Sequence, residues 1–511
     1  MRKIEIYEIF ELCTEDCDNA GPQVSFKNGN SSVVVKGFFD NGRYTVRFMP
    51  RSEGVWRYEL VCGNARTSGE FLCVPTTSNN HGPVVADGFH FKYADGKRYL
   101  PVGTTCYAWI HQTKEMMAQT LDTLAKSPFN KVRMCVFPKH MPFNNNEPEL
   151  FPFHKKPDGG WDVANPNEEF WRHLEDGIKK LCGMGIEADL ILFHPYDRWG
   201  FAKLSKEDSL AYLDYCIRRL SAFRNIWWSL ANEYDLVPGR TTADWDAFGE
   251  KIATADPYNH MLSNHNCFTV YPKRDWMTHC SIQAIESDNV KSVIDWRKGY
   301  NLPVIVDECG YEGDIEFAWG NISAFEMVNR FWVCNVLGAY CTHGETFFRE
   351  DGVLWWAKGG KLYGESAGRI SFMKDIMDRL GNLDPLGSLF SFNPNDSSYD
   401  DNFEHNHFFS TINALPEHKR RQVLLGFEPI AGCNDDYRIH YFARTCRAYL
   451  DAKLPENGKY KVEIIDVWEM TVETAIDEAS GALRVKLPGK EGVAVLISRL
   501  DGEGLGKGVK S

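Results

Sequence analysis

The sequence predicts a (β/α)8 barrel flanked by two all-β sandwiches. Three observations carry that prediction. From about residue 84, apolar strand-like runs alternate with apolar residues at helical spacing. Both ends of the chain show only short alternating runs separated by turn residues. Two buried-strand patterns end in a carboxylate: Ile226-Trp227-Trp228-Ser229-Leu230-Ala231 leads into Asn232-Glu233, and Pro303-Val304-Ile305-Val306 leads into Asp307-Glu308. A carboxylate at the C-terminal lip of a buried strand is where a parallel barrel carries its chemistry.

The elements follow in chain order. Residues 1–82 contain alternating runs at Ile4–Phe10, Ser32–Phe38, Tyr44–Phe48 and Val55–Leu60, divided by Asp40-Asn41-Gly42, Ser52-Glu53-Gly54 and Cys62-Gly63-Asn64. Turns that close, with no helical pattern between them, predict an immunoglobulin-like sandwich. The stretch Thr76–Pro83 reads as a linker. Residues 83–392 supply eight candidate strands: Tyr99–Thr105, Lys131–Phe137, Ile186–Phe193, Ile226–Ala231, Met261–Asn264, Ser281–Ile285, Pro303–Val306 and Ala339–Thr342. Between them, Phe170, Leu174, Ile178 and Leu181 share a helix face, as do Leu210, Leu213, Ile217 and Leu220, and Trp245, Phe248 and Ile252. A last helix over Ser366–Leu380 closes the ring. The insertion from Lys139 to Glu168, carrying Trp161, follows strand two and is expected to shape the site or to pack beside it. Residues 393–415, with the acidic run Asn395–Asp401, read as a linker, and 416–511 as a second sandwich with strands at Tyr437–Ala443, Arg447–Leu454, Tyr460–Trp468, Ala482–Leu487 and Val493–Leu500.

Composition narrows the function classes. A formal charge of −13 argues against nucleic acid and anionic membrane as partners. No run approaches the ~18 apolar residues of a membrane span. The N-terminus carries acidic residues inside its apolar pattern, unlike a secretory leader. The 15 cysteines have no framework spacing, so we expect reduced thiols, a cytoplasmic address and no zinc at Cys13 and Cys17. No cofactor and no metal are expected. A homo-oligomer is compatible with the sequence.

Two carboxylates on separate strand ends suit glycoside chemistry, in which one attacks the anomeric carbon and the other moves the proton. Glu233 and Glu308 stand 75 residues apart, which fits strands four and seven. Asn232 offers an amide for a sugar 2-OH. Each residue also has a plain structural reading: a carboxylate after a strand is commonly a helix cap or a solvated loop residue.

The strand-four Asn-Glu with a strand-seven Glu resembles clan A of the glycoside hydrolases. By that resemblance Glu233 is the acid/base, Glu308 the nucleophile, and Arg133 the strand-two arginine that supports it. Over nearly the whole chain, GRYTVRFMP, His81-Gly82-Pro83, HPYDRWGF and SLANEYDL resemble an apiosidase-like or cellulase-like subgroup with sandwiches on either side of the barrel. The expected activity is retaining hydrolysis, exo-acting on small oligosaccharides or glycosides. Further candidates for sugar contact are His194 after strand three, His265 after strand five, Tyr107 and Trp109 after strand one, Tyr311, and His343 with Glu345 after strand eight. The clan's strand-eight Trp is absent here; the nearest are Trp355 and Trp356, and we take Trp355 as the candidate. Asp197 and Trp199 are weaker candidates. Two rival readings remain: a metal-dependent sugar isomerase or epimerase using Glu233, His265, Glu308 and Glu345, and a non-catalytic carbohydrate-binding protein.

Overall fold

A computed structural model describes residues 1–15, 17, 21–76, 79–286, 292–386, 410–416, 419 and 430–500. The acidic run 395–401, most of the linker predicted at 393–415 and the tail 501–511 lie outside the described residues. The chain forms two compact units: one comprises Met1–Glu286, Asp295–Ser323 and Tyr340–Gly364, the other Ser287–Ile294, Ala324–Ala339 and Glu365–Ser511.

Eight parallel strands form a barrel sheet in the first unit: β1 Gly103–Thr105, β2 Lys131–Cys135, β3 Glu187–Phe193, β4 Ile226–Ala231, β5 Leu262–Ser263, β6 Cys280–Gln283, β7 Val304–Glu308 and β8 Tyr340–His343. Their order is β5-β4-β3-β2-β1-β8-β7-β6, and a bridge from His265 to Ser281 joins the two edges into a ring. Register is fixed by pairs such as Thr105 with Arg133, Arg133 with Asp189 and Asp189 with Trp227. The helices begin where side chains cap them. Asn167 caps Glu168–Gly183, Ser205 caps Lys206–Leu220, and Thr241 with Asp244 forms a capping box on Thr242–Ala255. Their apolar faces (Phe170, Leu174, Ile178, Leu181; Leu213, Ile217, Leu220; Trp245, Phe248, Ile252) are buried, as the periodicity requires.

The N-terminal end of the barrel is plugged. A three-stranded sheet of Val84–Asp87, His90–Tyr93 and Arg98–Tyr99 carries Phe91, whose ring lies 5.3 Å from Trp227 and 5.4 Å from Tyr340. Above it the lumen is polar. Lys131 Nζ reaches Asp189 and Asp307 at 2.8 Å each, and Ser281 and Thr342 hydroxyls donate to Asp307 at 2.6 and 2.7 Å. Those partners hold the Asp307 carboxyl far below the usual range against its complete burial.

The N-terminal sandwich packs a five-stranded sheet on a three-stranded one around Phe10, Phe26, Phe48, Trp56 and Phe71. The single strand expected over Ile4–Phe10 is two, Arg2–Glu5 and Phe10–Thr14, in different sheets. Tyr7 breaks the run with a left-handed φ of 64°. The sandwich is held to the barrel by buried ions: Arg47 and Arg219 both bind Glu175, at 2.6 and 2.5 Å. One cysteine expectation is corrected. Cys17 and Cys62 are joined as a disulfide with Cα atoms 5.1 Å apart.

In the second unit, helices Ala324–Val336 and Ser366–Leu380 accompany a six-stranded antiparallel sheet and a two-stranded one. The predicted strands are present, and three more appear: the antiparallel pair Asp384–Pro385 and Ile430–Cys433, and Thr471–Ala479. The latter is exposed along nearly its whole length, so it carries no apolar alternation to read. No helix among the described residues is long and apolar enough to cross a membrane.

Candidate active site

Glu233 and Glu308 leave the C-terminal ends of β4 and β7, and both are buried. Glu233 sits at φ 52°, a left-handed conformation that costs a non-glycine residue energy and is held by its surroundings. Between the two carboxylates lies Gln283, the last residue of β6. With its amide oriented as its neighbours require, the side-chain nitrogen donates to Glu233 Oε1 at 3.2 Å and to Glu308 Oε2 at 3.0 Å. Two oxygens sharing one donor atom are no more than about 6 Å apart, close to the spacing of a double-displacement pair and short of that which admits a water between them.

The two carboxylates have different company. Burial would raise Glu308, but the His265 imidazole, the Arg133 guanidinium and the Lys139 ammonium overcome it and hold its carboxyl down at about 2. His265 Nε2 lies 3.5 Å and Arg133 Nη1 3.7 Å from Glu308 Oε1, and the Tyr107 hydroxyl donates to the same oxygen. His265 is fixed through Nδ1, 2.9 Å from Ser281 Oγ, which in turn bonds Asp307. Glu233 goes the other way. Burial and the Glu308 charge raise its carboxyl, against the opposing pull of Lys139, the Tyr196 hydroxyl and His265. Tyr196 Oη donates to Glu233 Oε2, and Asn232 Nδ2 donates to the same oxygen at 3.2 Å. Asn232 Oδ1 accepts from Arg133 Nη2 at 3.3 Å and lies 3.0 Å from the Tyr107 hydroxyl, which fixes the amide.

Of the residues singled out in the sequence, the structure thus gathers Glu233, Glu308, Asn232, Arg133, His265 and Tyr107. Tyr311 joins them: its buried hydroxyl is raised by burial and the nearby Glu308 charge, and its ring lies 5.7 Å from Trp356. Five others sit elsewhere. Trp109 is buried against Met134 and Gly177. His194 bonds the Phe137 carbonyl at 3.2 Å. His343, next to inward-facing Thr342, bonds Thr104 and stacks on Phe129. Trp355 donates to Thr104, and Glu345 accepts from the backbone of Tyr363 and Gly364. Asp197 clamps its own loop through the N–H groups of Trp199, Gly200 and Ala202, and the Trp199 indole donates to Glu147.

Four residues at the pair escaped the sequence reading. Gln283 and Tyr196 are two. Lys139 is buried, with Nζ 3.4 Å from the Tyr107 ring centroid and 4.4 Å from that of Tyr196; burial lowers its pKa, and Glu308 and Glu233 act against that. Trp356, one position from the Trp chosen, closes an aromatic wall with Tyr107, Tyr311 and Trp319. Ser281 and Gln283 were the legible signal: two polar residues at strand spacing in an otherwise apolar run point into the lumen.

The isomerase set does not assemble. Among the described residues, the group of three donors close enough to share a metal ion is Glu312, His343 and Glu345, not Glu233, His265 and Glu308.

The chain resembles known proteins along nearly its whole length. A family model described as "Apiosidase-like, catalytic domain" matches residues 86–382, and domains of unknown function, DUF5060 and DUF5605, match 3–63 and 427–498. A structure from Bacteroides vulgatus ATCC 8482, described as a candidate glycoside hydrolase, is 32% identical over 98% of this chain and 100% of its own, with a TM-score of 0.84. A family 5 glycoside hydrolase from the same organism shares the fold at 16% identity, covering 82% of this chain and 94% of its own, with a TM-score of 0.61. No curated protein matches. The chain belongs to the apiosidase-like family: it is a glycoside hydrolase built on a clan A barrel.

Proposed function

We propose that this hydrolase works by double displacement with retention, Glu308 as nucleophile and Glu233 as acid/base, and that it releases single sugars from the ends of small oligosaccharides or glycosides. The observation that carries the reading is Gln283, whose one amide nitrogen reaches both carboxylates and so bounds their separation. Ionised Glu308 attacks the anomeric carbon while protonated Glu233 gives its proton to the leaving oxygen. The resulting glycosyl ester is cleaved by a water that Glu233, now ionised, deprotonates. Asn232 Nδ2 is available to the sugar 2-OH, and its Oδ1 is held by Arg133. Tyr107 and Arg133 keep Glu308 aimed. The aromatic wall of Trp356, Trp319 and Tyr311 offers flat faces to the sugar's C–H groups.

The test is the anomeric configuration of the first-formed product, read by proton NMR during hydrolysis of an aryl glycoside chosen from a panel. Retention supports the mechanism, and inversion overturns it. Release of monosaccharide alone from an oligosaccharide supports end-wise action; a ladder of shorter oligomers overturns that part only.

A further inference from the structure

The segments just beyond β7 and β8 pair as two short parallel strands, Glu312–Gly313 and Glu345–Thr346, with Glu312 opposite Glu345. Both side chains are buried. Like charges placed opposite each other in a ladder repel, and burial removes the water that would screen them. Glu345 nevertheless binds backbone donors with both oxygens: Tyr363 N–H donates to Oε2 at 2.8 Å and Gly364 N–H to Oε1 at 3.1 Å. These bonds hold both oxygens of Glu345 in place. Among the described residues, the one basic side chain within ion-pair distance of Glu345 is His343, with Nε2 3.8 Å from Oε1.

His343 is the second observation. Its ring is 0% exposed and lies 4.6 Å from the Phe129 ring. Nδ1 is 3.0 Å from Thr104 Oγ1, and Nε2 has no hydrogen-bond partner. With the proton on Nδ1, donated to Thr104, the Nε2 lone pair faces the carboxylates. With the proton on Nε2, the nearest oxygen is too far for a hydrogen bond. A cation held between the three side chains satisfies the Nε2 lone pair.

We propose that Glu312, His343 and Glu345 form a site for a divalent transition metal of the zinc or manganese class. Their donor atoms all lie within 4.8 Å of one another. A tetrahedral ion with bonds of about 2.1 Å holds neighbouring donors about 3.4 Å apart, so closure asks for shifts of about 1 Å. One imidazole with two carboxylates suits these ions better than calcium, which takes about six to eight oxygens. The Nδ1–H to Thr104 is the outer hydrogen bond that a ligating histidine makes. The role is structural. Tyr311 precedes Glu312, and its ring lies so close over Gly344 that a Cβ there would meet it at 2.3 Å. An ion at this place fixes Tyr311, and with it the wall beside Glu308.

The full chain, produced in medium supplemented with zinc and manganese and then dialysed, is expected to retain a single equivalent of one of them by elemental analysis. Chelation is expected to lower the melting temperature by about 5 °C or more, and the metal to restore it. His343→Gln and Glu345→Gln are expected to cut bound metal ~10-fold or more. Should the variants fail to fold, X-ray absorption on the wild type must show imidazole and oxygen neighbours without sulfur. The proposal is overturned by a wild-type protein with no metal and a melting temperature indifferent to zinc, manganese and chelator, or by metal retained in folded His343→Gln. None of these readouts involves sugar turnover, so this proposal and the retaining mechanism stand or fall separately.

Discussion

The ends of β4 and β7 are built from the same words and differ in their neighbours. Each is a buried apolar strand running into a glutamate at the lip of one barrel. At β7 the carboxylate meets Arg133, His265 and the Tyr107 hydroxyl, which favour its ionised form. At β4 it meets a tyrosine and two amides, and the nearest ammonium, on Lys139, is shared with its rival. The contrast therefore comes chiefly from side chains outside the two strands: Arg133 on β2, His265 after β5, and Tyr107, Lys139 and Tyr196 in the loops after β1, β2 and β3. Two carboxylates so close cannot both ionise freely, and the one with the cations beside it keeps the charge.

The strongest way to break the comparison is to remove each carboxylate in turn. Glu308→Ala is expected to cost on the order of 10⁴-fold or more in kcat on every substrate, because the proposed glycosyl ester cannot form without that carboxylate. Glu233→Ala is expected to cost about 10²–10⁴-fold on substrates with poor leaving groups and far less on activated aryl glycosides, which leave without a proton. Steady-state rates across a leaving-group series check both. Equal losses for the two variants at every leaving group would erase the distinction between the strands.

How far that distinction could be read beforehand follows from the same residues. The barrel, its helices and the carboxylate pair were legible because apolar period and strand-end charge are properties of single segments. Facing was not. Barrel strands of two to seven residues are too short to fix their phase: Thr342 bonds Asp307 inside the lumen, while His343, the candidate taken from the sequence, lies outside it. Trp355 and Trp356 posed the same problem on a four-residue helix. Lys139 belongs to a loop whose path no periodicity describes. Tyr7 turned one apparent strand into two because its left-handed backbone leaves no mark in composition.

Smaller effects sharpen the contrast, and they separate by sign. His265 lowers Glu308 more than any other neighbour does, and lowers Glu233 less than Lys139 and Tyr196 do. In the proposed double displacement Glu308 must be ionised, so kcat/KM is expected to rise with pH through that group, from about 2 in the native protein. His265→Gln, which keeps a hydrogen-bond partner for Ser281, is expected to raise that acid limb, lower the maximum about 10-fold and leave the alkaline limb nearly in place, narrowing the profile.

Lys139→Met acts chiefly on the other side. The same scheme requires Glu233 protonated, so kcat/KM is expected to fall as pH rises through a group whose pKa already stands above the usual carboxylate value. Lys139 is the leading influence pulling it down, and it comes behind His265 and Arg133 for Glu308. Removing the ammonium while keeping an apolar stem over the Tyr107 and Tyr196 rings is expected to move the alkaline limb to higher pH by more than the acid limb, widening the profile, with a change in the maximum of only a few-fold (~3). If Lys139 merely fills space above Tyr107, Lys139→Met leaves both limbs where they were. One variant that narrows the bell and one that widens it would locate the cause of the two glutamates' difference in two named side chains, neither of them on β4 or β7.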